Sequence, residues 1–212
     1  MTTLLLATRN LHKVEEIHAL LGPGWELLTL RDFPGAPEVV EDAATFAGNA
    51  AKKAESLARW VAGRAGARAG GFFVLADDSG LSVDALGGAP GVHSARFAAD
   101  ETGAAGNAPD AANNAKLLRL LAAVPAAERT ARFHCVLALT PVPPDAGPTE
   151  FFSGACEGLL GLAPRGAAGF GYDPLFLPQG QSLSFAELGA AVKNGISHRA
   201  RALAQLRARF AS

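Results

Sequence analysis

Two acidic residues, Asp77 and Asp78, stand side by side directly after the apolar run FFVLA. We predict that this run is a buried strand that ends at the acids, and in open α/β sheets ligands bind beyond the carboxyl ends of strands. Because side chains alternate along a strand, one carboxylate can face a cleft while the other accepts hydrogen bonds from backbone N–H groups. Mg2+ prefers one or two carboxylates together with water and phosphate oxygens, so the pair favours a metal site. A turn built on Asp78, Ser79 and Gly80 is the alternative.

A second polar segment, ATRNLHK at residues 7–13, follows the apolar run TTLLLA. The run predicts a strand, and the segment after it predicts the start of a helix near Asn10. The first turn of a helix has unpaired N–H groups and a partial positive charge, which bind anions, and an anion there would also pair with Lys13. The alternative is that Thr8 or Asn10 caps the helix and Lys13 is solvated. The phosphate-binding pattern GxxxxGK followed by Ser or Thr and the dinucleotide pattern GxGxxG are both absent.

Two further acids, Glu41 and Asp42, precede a long helical pattern that opens at Thr45. Acids at the start of a helix interact favourably with its dipole, and this is the simpler interpretation. The alternative is that one of them reaches the metal predicted beside Asp78.

A further cluster, GFGYDP at 169–174, combines aromatic residues with glycines. Phe170 and Tyr172 can offer ring faces to a planar base, or they can pack in a small secondary core.

Basic residues gather in the segment KNGISHR at 193–199. Ser197 is predicted to cap the last helix, which places His198 and Arg199 in its first turn, close to Lys193. Cations are unfavourable at that end of a helix dipole, so the cluster favours an anionic or acceptor-rich ligand. A solvated basic surface is the equally supported alternative.

The composition describes a chain that can bury a large core. Of its 212 residues 49% are hydrophobic, and the net charge of −1 does not favour nucleic-acid polymers or membrane surfaces as partners. No run approaches the ~18 apolar residues of a membrane helix, and the N-terminus lacks the pattern of a secretion signal. Cys135 and Cys156 match no metal-binding or disulfide pattern, so we expect reduced thiols and a cytoplasmic protein; a catalytic thiol is the alternative.

Strand and helix patterns are interleaved along the chain, and PVPPDAGP separates two strand patterns as a long hairpin would. We therefore predict one α/β domain over residues 1–212 with a mixed sheet. The stretch GRAGARAGG at 63–71 is predicted to be a solvated connection. Predicted strands cover 2–7, 25–30, 72–76, 131–140 and 149–161, and predicted helices cover 10–21, 45–62, 113–121 and 197–210.

The polar segments resemble the signatures of the inosine triphosphate pyrophosphatase family. LLLATRNLHKVEEI is similar to the family's ATxNxxKxxE opening, and DDSGLSVDALGGAPGVHSARF resembles its central signature over the full length. GFGYDP, ISHRARAL and the strand ARFHCVLAL resemble further family segments, in the right order. Matches at several separated places are far more specific than any one short pattern.

This resemblance implies a reaction and an architecture. The expected reaction is the hydrolysis of non-standard purine nucleoside triphosphates, ITP, dITP and XTP, to the monophosphate and pyrophosphate, with Mg2+ as cofactor. The expected protein is a homodimer whose fold has a long mixed sheet, flanking helices and two lobes with the site in the cleft between them. A membrane and a nucleic-acid polymer are not expected as partners.

The resemblance also implies a role for each matching residue. Asp78 is expected to activate the attacking water and, together with Glu41, to hold the metal. Arg199 N–H donors would suit a 6-keto oxygen, whereas the 6-amino group of adenine would leave them unpaired. The residues expected to bind the substrate are Thr8, Arg9, Asn10, Leu11, His12, Lys13, Ser79, Phe170, Gly171, Tyr172, Asp173, Lys193, His198 and Arg199.

The chain departs from the family pattern at three positions. Arg9 stands where many members have Gly, His93 replaces a common Tyr, and Gly48 stands where many members have Glu. Which acid meets the metal, Glu41 or Asp42, therefore stays open. Two other functions also stay open: a nucleotide hydrolase with another base preference, and a nucleotide-binding protein without catalysis.

Overall fold

Six strands form a mixed sheet in the part of the chain that the computed structural model describes, residues 1–64 and 72–211. The strand order is β2-β1-β3-β4-β5-β6; β1 runs parallel to β2 and β3, and β5 runs antiparallel to β6. The elements are β1 (Thr2–Leu6), α1 (Leu11–Leu21), β2 (Trp25–Leu28), α2 (Phe46–Ala62), β3 (Phe72–Val83), α3 (Ala99–Thr102), α4 (Asp110–Leu120), β4 (Thr130–Val142), β5 (Glu150–Leu160), β6 (Phe176–Pro178), α5 (Phe185–Ile196) and α6 (His198–Arg209).

The chain divides into two compact units. The first comprises residues 1–78, 135–153 and 199–212, and the second comprises residues 79–134 and 154–198. The expectation of a single domain with a cleft between two lobes stays a prediction.

The first unit has an apolar core on each face of its strands. On one face, residues such as Leu4 and Leu75 pack against α1 and α6. On the other, residues such as Leu5 and Val74 pack against α2. Alternation along β1 and β3 produces this division, because successive side chains point to opposite faces. The same alternation determines, for each polar side chain farther along β3, whether it faces α1 and α6 or faces α2.

The second unit has a core of its own, built around aromatic rings. Phe133 of β4 packs edge to face on Phe176 of β6, with ring centroids 4.7 Å apart, and Phe176 packs on Phe185 of α5 at 5.2 Å. Leu117 and Leu121, at the C-terminal end of α4, are fully buried in the same cluster.

The predicted mixed α/β sheet is confirmed, and the predicted strands and helices are present with shifted ends. β4 and β5 are neighbours in the sheet, as the hairpin requires. Helix α4 begins three residues earlier than expected, at Asp110. Residues 65–71 of the predicted connection lie outside the described residues.

One prediction about the chain's course was wrong, because β3 does not end at Asp77 and Asp78. It continues to Val83, since buried Leu81 and Val83 extend the alternation beyond Gly80. Strand β6 and helix α5, which follow GFGYDP, were not among the predicted elements. None of the described helices has the length and apolar character to cross a membrane.

A capping box that the sequence carries explains helix α5. Ser184 accepts a hydrogen bond from the Glu187 N–H (3.2 Å), and the Glu187 carboxylate accepts one from the Ser184 N–H (2.8 Å). We expect Ser184→Ala to lower the free energy of unfolding by about 1 kcal/mol, because it removes the hydrogen bonds of the Ser184 hydroxyl with the Glu187 N–H and with the Arg165 carbonyl (2.7 Å). Urea denaturation measures this, with Ser182→Ala, an exposed serine two residues earlier, as the control. Equal stability of the two variants would contradict the role of the cap.

Candidate active site

The parallel strands β1 and β3 of the first unit end at different points. As a result Asp77 and Asp78 lie where the strand order of the sheet reverses direction. β1 ends at Leu6, and Ala7 still donates its N–H to the carbonyl of Leu75 on β3 (2.8 Å). β3 continues, so Asp77 and Asp78 lie just past the carboxyl end of β1 but within a strand. β2 and β3 lie on opposite sides of β1, and such reversal points are where α/β sheets bind ligands.

Asp77 belongs to the face that α1 and α6 cover. Its carboxylate accepts hydrogen bonds from Lys13 Nζ of α1 (2.5 Å) and from Arg199 Nε of α6 (2.9 Å). The thiol of Cys135 on β4 also donates to it (3.2 Å). Arg199 is fully buried and makes a second ion pair with Glu16 of α1. Glu16, Arg199, Asp77 and Lys13 therefore form a row of alternating charges.

These cations outweigh the cost of burying a charge at Asp77. Burial raises the pKa of this carboxyl, but Arg199 and Lys13 hold it well below its usual range. Burial and the Asp77 charge raise the pKa of the Cys135 thiol, which is therefore a hydrogen-bond donor at neutral pH. Both cysteines are free and buried, which agrees with the prediction of reduced thiols. Asp77 thus faces away from Asp78, as alternation along the strand predicted, but Lys13 and Arg199 bind it where backbone N–H groups were expected.

Asp78 belongs to the opposite face, which α2 covers. Lys53 Nζ of α2 donates to Asp78 Oδ1 (3.3 Å), to Glu41 Oε2 (2.7 Å) and to the backbone carbonyl before Asp78 (3.0 Å). One ammonium group thus faces two carboxyls, where the other face has two cations around one buried carboxylate.

This shortage of positive charge around the two carboxyls affects the pKa values of Asp78 and Glu41. Burial raises the pKa of Asp78, Lys53 and Lys13 lower it, the Glu41 charge raises it, and the result is about 6. Burial also raises the pKa of Glu41, but Lys53 outweighs burial and lowers it. As the pH falls, Asp78 is therefore protonated before Glu41. Asp78 Oδ2 is also buried without a hydrogen-bond partner in residues 1–64 and 72–211, which is unfavourable.

A divalent cation fits this carboxyl pair. Mg2+ takes oxygen ligands and uses one or two carboxylates with water and phosphate oxygens, and its charge would reverse the conditions that raise the pKa of Asp78. The buried Oδ2 offers an acceptor that no donor in residues 1–64 and 72–211 takes. Within those residues, no three His, Cys, Asp or Glu side chains form a metal-binding group. Glu41 and Asp78 would therefore leave ligand positions for water and for a phosphate.

The loop that carries Glu41 is fixed to the start of α2. Asn49, fully buried, accepts a hydrogen bond from the Ala43 N–H (2.9 Å), and Thr45 caps the helix by accepting from the Gly48 N–H (3.1 Å). Gly48 permits this approach because a Cβ there would lie 2.8 Å from the Ala43 Cβ. A Glu at this position would require the loop to shift.

The structure places Glu41, rather than Asp42, beside Asp78. Asp42 is exposed and pairs with Lys52. The interpretation of Glu41 and Asp42 as first-turn helix charges is wrong, because α2 begins at Phe46 and has no acid in its first turn.

Residues 8–13 form the start of α1. Asn10 caps the helix by accepting from the Lys13 N–H (3.2 Å), and Thr8 Oγ1 accepts from the Asn10 N–H (3.1 Å). The capping interpretation is confirmed for Asn10, but the Lys13 ammonium contacts Asp77 rather than solvent. The other residues of this segment have exposed side chains: Arg9, which donates to the Ala36 carbonyl (3.2 Å), Leu11 and His12.

In the second unit, the GFGYDP segment closes around a buried ion pair. Lys193 of α5 donates to Asp173 Oδ2 (2.6 Å), which also accepts from the Phe170 N–H (3.0 Å). The Lys193 ammonium lies 4.9 Å from the centre of the Phe170 ring. Gly169 is required here, because a Cβ would lie 2.1 Å from the Asp173 carboxylate. Tyr172 is buried, so it contributes to packing, while Phe170 is half-buried.

The remaining predicted residues also have defined places. His198 is buried at the start of α6 and stacks on Phe133, with ring centroids 4.8 Å apart. Ser79 follows Asp78 on β3 and is half-buried. Ser197 links α5 to α6, directly before the predicted first turn.

Lys53 was not among the predicted site residues. The signal was present, because Lys53 lies three residues after buried Ala50 and four before buried Leu57, on the core face of the helix. A cation on that face needs acidic partners. Glu16 was missed as well, although it precedes buried Ile17 within the quoted opening motif.

Comparisons with known proteins agree on one family. The profile of the Ham1 family matches residues 4–209. Two relatives, each named dITP/XTP pyrophosphatase, come from Geobacillus kaustophilus and Opitutus terrae. The first is 47% identical and covers 97% of this chain and 93% of its own. The second is 50% identical and covers 95% of each.

Two solved structures are similar over the whole chain. A HAM1 protein from Coxiella burnetii has a TM-score of 0.82 at 36% identity and covers 100% of this chain and 99% of its own. The Staphylococcus aureus Ham1 protein has a TM-score of 0.79 at 32% identity, with coverage of 99% and 98%. Both agree with the mixed α/β sheet.

The buried charge row gives a stability prediction for Asp77. We expect Asp77→Asn to lower the free energy of unfolding by about 3 kcal/mol or more at pH 7, because it leaves Arg199 and Lys13 without their shared carboxylate. The folded-state pKa of Asp77 is depressed, so its contribution is present above the unfolded pKa and disappears as pH falls through the folded value.

Urea denaturation at pH 7 and in acid measures both effects. The control is Asp42→Asn, which removes one exposed partner of a surface ion pair and should change the stability by less than about 1 kcal/mol. An Asp77→Asn variant as stable as this control would contradict the structural role of Asp77.

Proposed function

Because the chain belongs to the Ham1 family, we propose that it hydrolyses ITP, dITP and XTP to the nucleoside monophosphate and pyrophosphate. The observation that carries the proposal is near-complete coverage, at 47% and 50% identity, by relatives named dITP/XTP pyrophosphatase. The carboxyl pair at the sheet's switch point supports the same chemistry. The proposed substrate is a free nucleotide rather than a nucleic-acid polymer.

Asp78 is the proposed catalytic residue, and with Glu41 it is the proposed holder of Mg2+. Bound Mg2+ supplies positive charge that neutralises phosphoryl oxygens. Asp78 accepts a proton from the water that attacks the phosphorus, and the bond to the leaving pyrophosphate breaks.

The cations of the first unit are proposed to hold the polyphosphate. Lys13 is the first candidate, since its ammonium lies at the carboxyl end of β1 within reach of Asp77. Lys53 is the second candidate, because its ammonium lies close enough to Asp78 to lower the pKa of that carboxyl. Phosphoryl transfer builds negative charge on oxygens, and fixed cations stabilise that charge. Thr8, Arg9, Asn10, Leu11 and His12 complete the proposed phosphate segment.

Residues of the second unit are proposed to bind the base. Phe170 offers a half-buried ring, and Gly171, Tyr172 and Asp173 shape the segment around it. Lys193 forms an ion pair with Asp173 in this structure, which supports a role in fixing that segment. The contact with the triphosphate that the resemblance implies for Lys193 stays a prediction.

The roles of Ser79, His198 and Arg199 toward the nucleotide stay predictions. Arg199 is bound by Asp77 and Glu16, so a contact with a 6-keto oxygen would have to coexist with these ion pairs. A homodimer and a cytoplasmic location are likewise proposed from the resemblance alone.

A substrate panel tests the proposed reaction. With Mg2+, we expect release of pyrophosphate from ITP, dITP and XTP and little from ATP, because a site that donates to a 6-keto oxygen leaves donors unpaired against a 6-amino group. The assay separates pyrophosphate from orthophosphate. Release of orthophosphate alone would refute the assignment, turnover of other bases alone would favour a different nucleotide hydrolase, and binding without turnover would favour a non-catalytic protein.

Asp78→Asn tests the proposed catalytic group. It removes a metal ligand and a proton acceptor, so we expect kcat to fall about a thousandfold or more. The unfolding temperature of the metal-free protein should not fall, because the substitution removes a charge that burial disfavours. Asp145→Asn, in an exposed turn after β4, is a control with a similar change in net charge. Near-normal turnover by Asp78→Asn would refute its role.

A further inference from the structure

Gly171, in the segment proposed to hold the base, is bound to α4 through both of its backbone polar groups. Gly171 donates its N–H to Asp110 Oδ2 (2.6 Å), and its carbonyl accepts a hydrogen bond from Asn114 Nδ2 (2.9 Å). Asp110 and Asn114 are four residues apart on α4, so their side chains lie on one face of the helix. One helix face therefore binds both polar backbone groups of Gly171.

Gly171 is held in a conformation that its neighbours depend on. Its φ is +64°, and a Cβ there would meet nothing within 4 Å, so the glycine serves the backbone conformation rather than close packing. The peptides on its two sides lead to Phe170 and Tyr172. The Tyr172 hydroxyl donates to the buried carbonyl of Ser94 (2.8 Å), which anchors that side. The direction of Phe170 then depends on how α4 holds Gly171 and on the hydrogen bond that the Phe170 N–H donates to Asp173 (3.0 Å).

The two adjacent asparagines of α4 have different tasks. Asn113 has three hydrogen bonds that hold the chain before α4: it accepts from the Ala98 N–H (2.8 Å) and donates to the carbonyls of Ala95 (3.2 Å) and Ala108 (3.3 Å). Asn114 is also buried, but its Oδ1 has no hydrogen-bond partner among residues 1–64 and 72–211. A buried acceptor without a partner is unfavourable, so stability alone does not explain why an amide stands at this position. The hydrogen bond from Asn114 to the Gly171 carbonyl explains it.

We propose that Asp110 and Asn114 are positioning residues for base recognition, which act by fixing the Gly171 peptides and thereby the face that Phe170 presents. The inference rests on the proposed function. Neither residue is proposed to touch phosphate or metal, so the loss of either affects binding of the base and leaves binding of the polyphosphate intact.

The test compares Asp110→Ala and Asn114→Ala with matched controls. We expect kcat/KM for ITP to fall about tenfold, because KM rises while kcat is unchanged, as the loss of one hydrogen bond to a binding loop predicts. We also expect the ratio of kcat/KM for ITP to kcat/KM for ATP to decrease. The inhibition constant of inorganic pyrophosphate, which has no base, should stay within about twofold of wild type. Asp110→Asn keeps an acceptor for the Gly171 N–H and should restore most of the ITP activity.

Asn113→Ala is the control for stability, since it removes buried hydrogen bonds of the same helix. It should lower the unfolding temperature without changing the ITP to ATP ratio. Because Asp110 is exposed, Asp110→Ala tests the proposal even where Asn114→Ala does not fold. The inference is overturned if both alanine variants keep the wild-type ratio, or if pyrophosphate inhibition weakens as much as ITP binding. Failure of the wild type to hydrolyse any purine triphosphate overturns the proposed function, and this inference with it.

Discussion

Adjacent charges on one strand must be compensated from opposite sides, and this constraint organises the first unit. Asp77 and Asp78 lie next to each other on β3, so alternation directs one toward α1 and α6 and the other toward α2. Each acid then depends on cations carried by the helices of its own face. Asp77 receives Lys13 and Arg199, whereas Asp78 shares Lys53 with Glu41. The same local sequence therefore produces one fully compensated carboxylate and one that lacks positive charge.

The lack of positive charge at Asp78 has a cost in stability and a use in chemistry. Burial and Glu41 raise its pKa from 3.8 to about 6, which corresponds to about 3 kcal/mol of destabilisation once the group ionises. Because the folded pKa lies above the unfolded one, stability falls as pH rises through this window. A bound cation would offset that cost, so the site is more favourable with a metal than without one. Asp77 has the opposite task, since it keeps Lys13 and Arg199 in place at every physiological pH.

The sequence was sufficient for the fold class, for the first helix and its cap at Asn10, and for the inward role of Asp77, because alternation and capping act over a few residues. It was insufficient for the length of β3, since Asp-Ser-Gly is typical of a turn and only the sheet around it makes a strand favourable there. The choice between Glu41 and Asp42 depended on a loop held by Asn49, a contact that no local pattern specifies. Lys53 and the capping box of Ser184 could have been predicted, because the helical spacing of Lys53 and the S-x-x-E pattern at Ser184 are both visible in the sequence.

We propose that Asp78 is a cation site and that Asp77 is not, and the unfolding temperature measured against Mg2+ concentration at pH 7.5 tests this directly. Wild-type protein should gain stability as Mg2+ is added, by the linkage between ligand binding and folding. Metal-free Asp78→Asn should be at least as stable as metal-free wild type and should not respond to Mg2+. A wild-type protein indifferent to Mg2+, or an Asp78→Asn variant that responds as wild type does, would contradict the account.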